Sequence, residues 1–370
     1  MKIRMERGEL LAGLSRVQGV VERRNTVPIL SNILLEANSE GVHLFATDLE
    51  IGLKGTYPAE VLSPGAVTLP ARKLFEIVRE LPEGLVEVME EAQWVTVTAG
   101  RSRFRVASLP SEDFPPAPEP EGEVLVPVTR DVLSTMIRKT FFAVGDIDTR
   151  YVLNGVLVTA SAAAAGPASL RMVATNGHRL AVIEREVTVD GPLELSAIVP
   201  RKALVEMKKL LEEDEGEVSI GFTDKRVVFK KQGLTMVSQL VEGTFPAWEK
   251  VVPEETANTV TLNTAEAIAS FRRVSLLCQE KTWAVRFSLS ENLLTLVANN
   301  PEQGEATEEI AVEYAGADMS TGFNARYFID VLQNVDGESV RVETNDALSP
   351  CLIRDQGDPG YLSLVMPMRL

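Results

Sequence analysis

The sequence predicts an α+β fold in three copies, each carrying two helices packed on antiparallel sheets. Two observations predict it. The first is an internal repeat. Val173-Ala174-Thr175-Asn176-Gly177-His178-Arg179-Leu180-Ala181 lies mid-chain, with Phe45-Ala46-Thr47-Asp48-Leu49-Glu50 before it and Val297-Ala298-Asn299-Asn300-Pro301-Glu302 after it. Each is an apolar run, an alanine and two small polar residues that suit a turn. Their offsets of 128 and 124 are close to a third of the 370 residues. Arg72, Arg201 and Arg326 keep the same beat, as do Pro115 and Pro246. A period this long gives each copy its own core, with expected boundaries at 1–122, 123–254 and 255–370. The second observation is element order. Short β-branched runs with tight turns outnumber the helices, without the strict alternation of a doubly wound sheet.

In the first copy, residues 9–21 read as a helix, with Leu10, Leu14, Val17 and Val21 on one stripe. Strands follow at 29–37, 42–47 and 50–62, a helix at 72–81, and strands at 85–90, 93–99 and 103–109. The proline-rich stretch 115–122 reads as a stiff linker. The second copy has helices at 130–140 and 201–212, with strands at 151–159, 169–175, 179–188, 217–222, 226–231 and 234–241. Residues 246–258 form the next linker. The third copy has helices at 264–277 and 325–334, with strands at 283–289, 293–299, 307–314, 338–343, 349–354 and 361–366.

Composition places limits on function. No apolar run reaches membrane-spanning length, and Met1–Arg7 holds no signal-peptide core. Two cysteines in no metal-like spacing make a disulfide framework improbable and a cytoplasmic location the simplest expectation. A net charge of −16 argues against an ordinary nucleic-acid binder. Charge placement changes that argument. Opposite the apolar stripe, all three first helices carry a base: Arg16, Arg138 and Arg273. The second helices carry Arg79 and Lys208 at matching positions, and Gln333 in the third copy. Helices packed by their apolar sides would turn these bases to one surface, suited to phosphate contact without sequence reading. Lys and Arg are also common on any solvated helix, so agreement between copies carries the inference.

Several motifs then make a resemblance specific: Val27-Pro28-Ile29-Leu30-Ser31-Asn32, Gly100-Arg101-Ser102-Arg103-Phe104, Ala174–Ala181, Val199-Pro200-Arg201-Lys202, Asn299-Asn300-Pro301-Glu302-Gln303 and Met366-Pro367-Met368-Arg369-Leu370. Over its full length the chain resembles the bacterial DNA polymerase III beta subunits, the sliding clamps. The resemblance implies a head-to-tail dimer ring lined by helices, threaded by double-stranded DNA. It implies tethering of the replicative DNA polymerase alpha subunit, a clamp loader, and other replication and repair proteins. No membrane, cofactor, metal or catalytic residue is implied.

By position, the resemblance places a partner-peptide cleft at Leu153, Thr175, Gly177, His178, Arg179, Leu180, Pro246, Val251, Asn324, Tyr327, Val365, Met366, Pro367, Met368 and Arg369. An adaptable apolar pocket there suits the Leu and Phe of a short linear peptide, with His178, Arg179 and Asn324 orienting it. Alone, Met366 and Met368 would read as core filling. Thr282 and Pro350 depart from the family pattern at the cleft's edge. The implied DNA contacts are Arg24, Arg150 and Tyr151, with Ile147 and Val152 as departures. The implied ring seam pairs Phe104 and Val106 with Leu276 and Leu277, and Arg101 and Arg103 with Glu302 and Glu305.

An enzyme is the main alternative. No phosphate-binding Gly-x-x-x-x-Gly-Lys-Ser pattern occurs, and only His43 and His178 could serve as histidine bases. Cys278 could be a nucleophile for His178, and Asp146-x-Asp148 a metal pair, but neither belongs to a complete constellation. A protein-only adaptor using the same cleft is the other alternative.

Overall fold

The computed structural model describes residues 1–21, 27–118, 123–145, 149–213 and 216–370. The first third of the sequence holds β1 (Lys2–Glu6), α1 (Arg7–Val17), β2 (Asn32–Asn38), β3 (Gly41–Thr47), β4 (Ile51–Tyr57), β5 (Glu60–Ser63), β6 (Gly65–Pro70), α2 (Ala71–Glu80), β7 (Leu85–Glu91), β8 (Trp94–Ala99) and β9 (Ser102–Ala107). The middle third holds β10 (Val124–Val128), α3 (Arg130–Phe141), β11 (Gly155–Ala162), β12 (Gly166–Thr175), β13 (Arg179–Val189), β14 (Leu193–Pro200), α4 (Arg201–Glu213), β15 (Val218–Phe222), β16 (Arg226–Lys231) and β17 (Leu234–Gln239). The last third holds β18 (Asn258–Asn263), α5 (Thr264–Ser275), β19 (Ala284–Ser290), β20 (Leu293–Asn300), β21 (Gly304–Ala311), β22 (Met319–Asn324), α6 (Ala325–Leu332), β23 (Ser339–Thr344), β24 (Cys351–Asp355) and β25 (Tyr361–Val365). No helix among the described residues is long and apolar enough to cross a membrane.

The α+β reading holds, with two helices in each third and antiparallel sheets. The elements differ from expectation in several places: 50–62 is two strands, β4 and β5, and 151–153 is a short 3-10 turn before β11. Helix α1 ends at Val17 rather than 21, and it is Val20, not Val21, that is fully buried. Gly19, a poor helix former, follows the C-cap residue Gln18 and releases the chain. The sequence reading also missed the same two strands in every copy: β1, β10 and β18 at the start, and β6, β14 and β22 before the second helix. In β1 only Ile3 and Met5 are buried, between charged residues, so the period-2 signal is short and weak.

The chain forms two compact units, 1–130 with 202–240, and 131–201 with 241–370. The first has a five-stranded sheet, β5-β1-β7-β8-β9, and an eight-stranded sheet, β10-β15-β16-β17-β4-β3-β2-β6. The second has an eight-stranded sheet, β14-β11-β12-β13-β25-β24-β23-β18, and a four-stranded sheet, β21-β20-β19-β22. Two pairings join strands far apart in sequence. β4 pairs with β17, and β13 with β25, both antiparallel. The strands of the middle third are thus shared between the two units.

Helix packing follows the apolar stripes. In the first unit, α1 buries Leu10, Leu14 and Val17, and Gly13 sits so close to β3 that an added Cβ would lie 2.6 Å from Leu44 Cδ1. In the second unit, α5 and α6 meet through Phe271 and Phe328, stacked at 4.7 Å. Both rings are fully buried, and truncating either to alanine would cost about 3–5 kcal/mol. Asn263 and Asn324 cap the two helices, accepting from the amides of Glu266 and Arg326.

A buried ion cluster ties α3 to the last third. The Lys139 side chain is fully buried, with Nζ 2.8 Å from Asp336, 2.9 Å from Asp355 and 2.8 Å from Asp358. Arg185 also pairs with Asp358, and Arg138 with Asp336 at 2.7 Å.

Candidate functional site

The cleft is built within the second unit, around the turn from β12 to β13. Thr175 Oγ1 donates to the Arg179 carbonyl at 2.7 Å and accepts from the Gly177 amide at 3.0 Å. Asn176 Oδ1 accepts from the amides of His178 and Arg179 at 3.0 and 3.1 Å. Gly177 has φ +84°, a conformation that suits glycine, and a Cβ there would meet the Arg150 guanidinium at 3.0 Å. The turn thereby aims His178 outward and Leu180 inward.

Beyond the turn, β13 pairs with β25, setting Leu180 opposite Leu364. The strand continues as a tail. The Met366 amide donates to the His178 carbonyl at 2.9 Å and the Met368 amide to the Gly322 carbonyl at 2.8 Å. Leu153, Leu157, Val173, Leu180, Val182, Ile198, Phe245, Leu352 and Leu364 form one buried apolar cluster. Val152, Val241, Trp248, Val252, Leu362 and Met366 pack on it while half-buried, so its open side is apolar.

The rim is aromatic and cationic. The His178 ring stacks on Tyr327, with centroids 6.3 Å apart. The Arg179 guanidinium lies 4.6 Å from the Tyr327 ring and 5.4 Å from that of Phe142. It also donates to Asp330 and to the Phe142 carbonyl, while its Nε is buried without a hydrogen-bond partner among the described residues. Pro246 and Val251 are exposed on the linker beside Trp248, over which Arg171 lies at 5.7 Å.

The structure therefore gathers Leu153, Thr175, Gly177, His178, Arg179, Leu180, Tyr327 and Met366. It does not gather all the expected residues. Val365 is fully buried in the separate core of α5 and α6. Asn324 is spent on local structure, with Nδ2 donating to the Thr282 carbonyl at 3.0 Å and Oδ1 capping α6. Sequence reading missed Trp248, Leu362 and Leu352. Trp248, a large aromatic two residues after the Phe245-Pro246 landmark, was the available signal.

The expected basic faces are largely ion-paired. Arg16 is 2.6 Å from Glu213. Arg273 makes two bonds to Glu308, at 2.8 and 2.6 Å. That pairing raises Arg273 and lowers Glu308 from their ordinary pKa values. Arg138 is held by Asp336, whereas Arg79 and Lys208 are exposed. Tyr151 is 76% exposed, and Arg150 donates to the Asn176 carbonyl at 3.3 Å. Val152 turns into the apolar cluster. Arg24, Ile147, Asp146 and Asp148 lie outside the described residues.

Two sheet edges carry opposite charge. β9 is the last strand of the five-stranded sheet, and its neighbourhood exposes Arg101, Arg103, Phe104 and Arg105. Val106 is buried instead, on the same side as Phe104 but covered by its own unit. β21 is the last strand of the four-stranded sheet, and exposes Glu305 and Glu309 with Glu302 in the turn before it. Beyond α5, Leu276 is 77% exposed and Leu277 half-buried.

The groups that could suggest catalysis are engaged elsewhere. Cys278 is buried, donates to the Ala284 carbonyl, and burial pushes its thiol up to about 11. His43 is buried between Asn38 and Thr56. Asp336, Asp355 and Asp358 converge as metal ligands would, but the Lys139 ammonium already sits among them.

Comparisons with known proteins agree over the whole chain. The N-terminal, central and C-terminal domains of the DNA polymerase III beta subunit match residues 1–118, 127–247 and 249–369. The beta sliding clamp of Pseudomonas aeruginosa is 39% identical and that of Escherichia coli K12 36%, each with 100% of both chains covered. Among solved structures, the DNA polymerase III subunit beta from Pseudomonas aeruginosa has a TM-score of 0.95 at 38% identity, covering 100% of both chains. A sliding clamp from that organism bound to griselimycin scores 0.93 at 38% identity, and the clamp from Caulobacter crescentus 0.94 at 37%, again with 100% of both chains covered.

Proposed function

The chain belongs to the DNA polymerase III beta subunit family, and from that premise we propose that it is a DNA sliding clamp: two copies close into a ring around duplex DNA and tether a polymerase to its template. The observation that carries the ring is the pair of open strand edges. β9 presents arginines and Phe104, whereas β21 presents glutamates. Pairing β9 of one copy with β21 of another would extend one antiparallel sheet across the seam, satisfy both edges, and bring opposite charges together. A head-to-tail contact repeated twice closes on itself. Three clamp domains per chain, at 1–122, 123–254 and 255–370, then place six similar units around the hole.

The clamp itself performs no chemistry in this reading. Arg79 and Lys208 are exposed, paired among the described residues only with the exposed Glu80 and Glu212, and all five bases, with Arg16, Arg138 and Arg273, would exchange carboxylate partners for phosphate. The apolar cleft takes a short peptide from the replicative polymerase alpha subunit, the clamp loader, or other replication and repair proteins in the cytoplasm. Tethering raises the polymerase's local concentration at the primer end.

Retention on nicked circular DNA after loading by a bacterial clamp loader tests the ring. Protein that stays on the circle and leaves once it is cut is threaded on DNA. Protein that stays after cutting binds the DNA surface, and the ring is then wrong.

A further inference from the structure

We infer that the first unit holds a second peptide-binding groove, built on the frame of the cleft, that takes one apolar side chain next to a carboxylate. The inference rests on the peptide-binding reading of the cleft and extends it to a second place.

The frame is repeated bond for bond. Thr47 Oγ1 donates to the Ile51 carbonyl at 2.8 Å and accepts from the Leu49 amide at 3.0 Å. Asp48 Oδ1 accepts from the amides of Glu50 and Ile51 at 2.9 and 2.7 Å. Thr175 and Asn176 make the same four bonds in the cleft. Leu49 even adopts φ +79°, where the cleft turn has Gly177 at +84°. The strand that follows, β4, pairs with β17 in the register in which β13 pairs with β25. Gly52 stands opposite Val237 as Leu180 stands opposite Leu364. Phe114, the counterpart of Phe245, packs edge-on against Phe45 at 5.7 Å.

Two substitutions within this frame define what it accepts. Gly52 replaces Leu180, and Lys54 replaces Val182. Gly52 puts no side chain into the space beside Phe45 and Pro118, and a Cβ there would already crowd Phe45 at 3.1 Å and touch Pro118 at 3.4 Å. The result is a cavity of about 180 Å³ lined by Phe45, Gly52, Lys54, Pro118 and Val237 among others. That exceeds the ~150 Å³ apolar cavity that admits benzene, so a Leu or Phe side chain fits. Lys54 brings an ammonium to the wall, which favours a carboxylate beside that anchor. One anchor and one ion pair give weak binding, with Kd on the order of 0.1–1 mM.

Methyl-labelled full-length protein titrated with acetyl-Asp-Leu-Phe-amide separates the two sites, with Val237 reporting the groove and Leu364 the cleft. Both methyl signals should shift, with Val237 saturating at the higher concentration. Gly52→Val should abolish the Val237 shift and spare that of Leu364. Lys54→Glu, which keeps the backbone as it is, should weaken the Val237 response roughly fivefold. A Val237 signal unmoved at about 5 mM peptide, or one that still responds in Gly52→Val, overturns the groove. A Leu364 signal that stays still while Val237 moves would instead strike the cleft reading and leave the groove standing.

Discussion

Lys139 Nζ lies 2.9 Å from Asp355 Oδ2, and neither side chain is exposed to solvent. A charge pair this deep is costly to halve. Lys139→Met would leave the buried Asp355 without its cation, while Asp336 and Asp358 would keep only Arg138 and Arg185. The expected loss is about 3–5 kcal/mol, read by urea unfolding. A variant as stable as the parent would show that water or rearrangement replaces the ammonium.

The same cluster fixes a pH dependence. Burial pushes Asp355 and Asp358 up, but hydrogen bonds to them outweigh it: Lys139 and backbone amides for Asp355, Arg185 and Lys139 for Asp358. Both carboxyls therefore lie below their ordinary range. Burial likewise opposes the Lys139 ammonium, and the three aspartates outweigh it, raising that group. The carboxylates therefore contribute stability that is full above the unfolded value of about 3.9 and is lost as pH falls through their lower folded values. Lysine contributes below about 10.4, and that part is lost as pH rises through its raised folded value. Urea midpoints between about pH 2 and 6 should fall toward acid in the parent and change less in Lys139→Met.

Removing Met366 to Leu370 should abolish peptide binding and leave the dimer intact. The tail supplies Met366 to the apolar cluster and holds β22 through Met368. Fluorescence anisotropy with a labelled polymerase peptide checks it. Undiminished affinity would move the cleft elsewhere.

At the proposed seam, Leu276→Ala with Leu277→Ala should yield monomers by light scattering. Leu276 is exposed in the single chain and has surface to bury only in an assembly. A persistent dimer would reject that placement and leave the strand edges to account for association.

What could be read from the sequence was whatever repeats or lies close together in the chain. The turn at Thr175 was legible because its hydrogen bonds run between residues two to four apart. The α1 stripe was legible because helix geometry maps spacing onto a face. The pairing of Arg16 with Glu213, 197 residues away, was not, nor was the burial of Lys139 beside Asp355 at a separation of 216. A base opposite an apolar stripe is a local pattern, whereas the acid that meets it is chosen by tertiary packing. Trp248 was missed for a related reason: a proline-bounded linker gives no periodicity, so its inward turn depends on the cluster beneath it.

Because β17 completes a sheet begun by β4, and β13 one continued by β25, the middle third of the sequence owns no finished sheet. Cut out alone, it would present both strands as raw edges, open to pairing with any chain that met them. Gene fragments bounded at the repeat would therefore be poor folding units, and a protease nick between thirds would leave the pieces held by backbone hydrogen bonds.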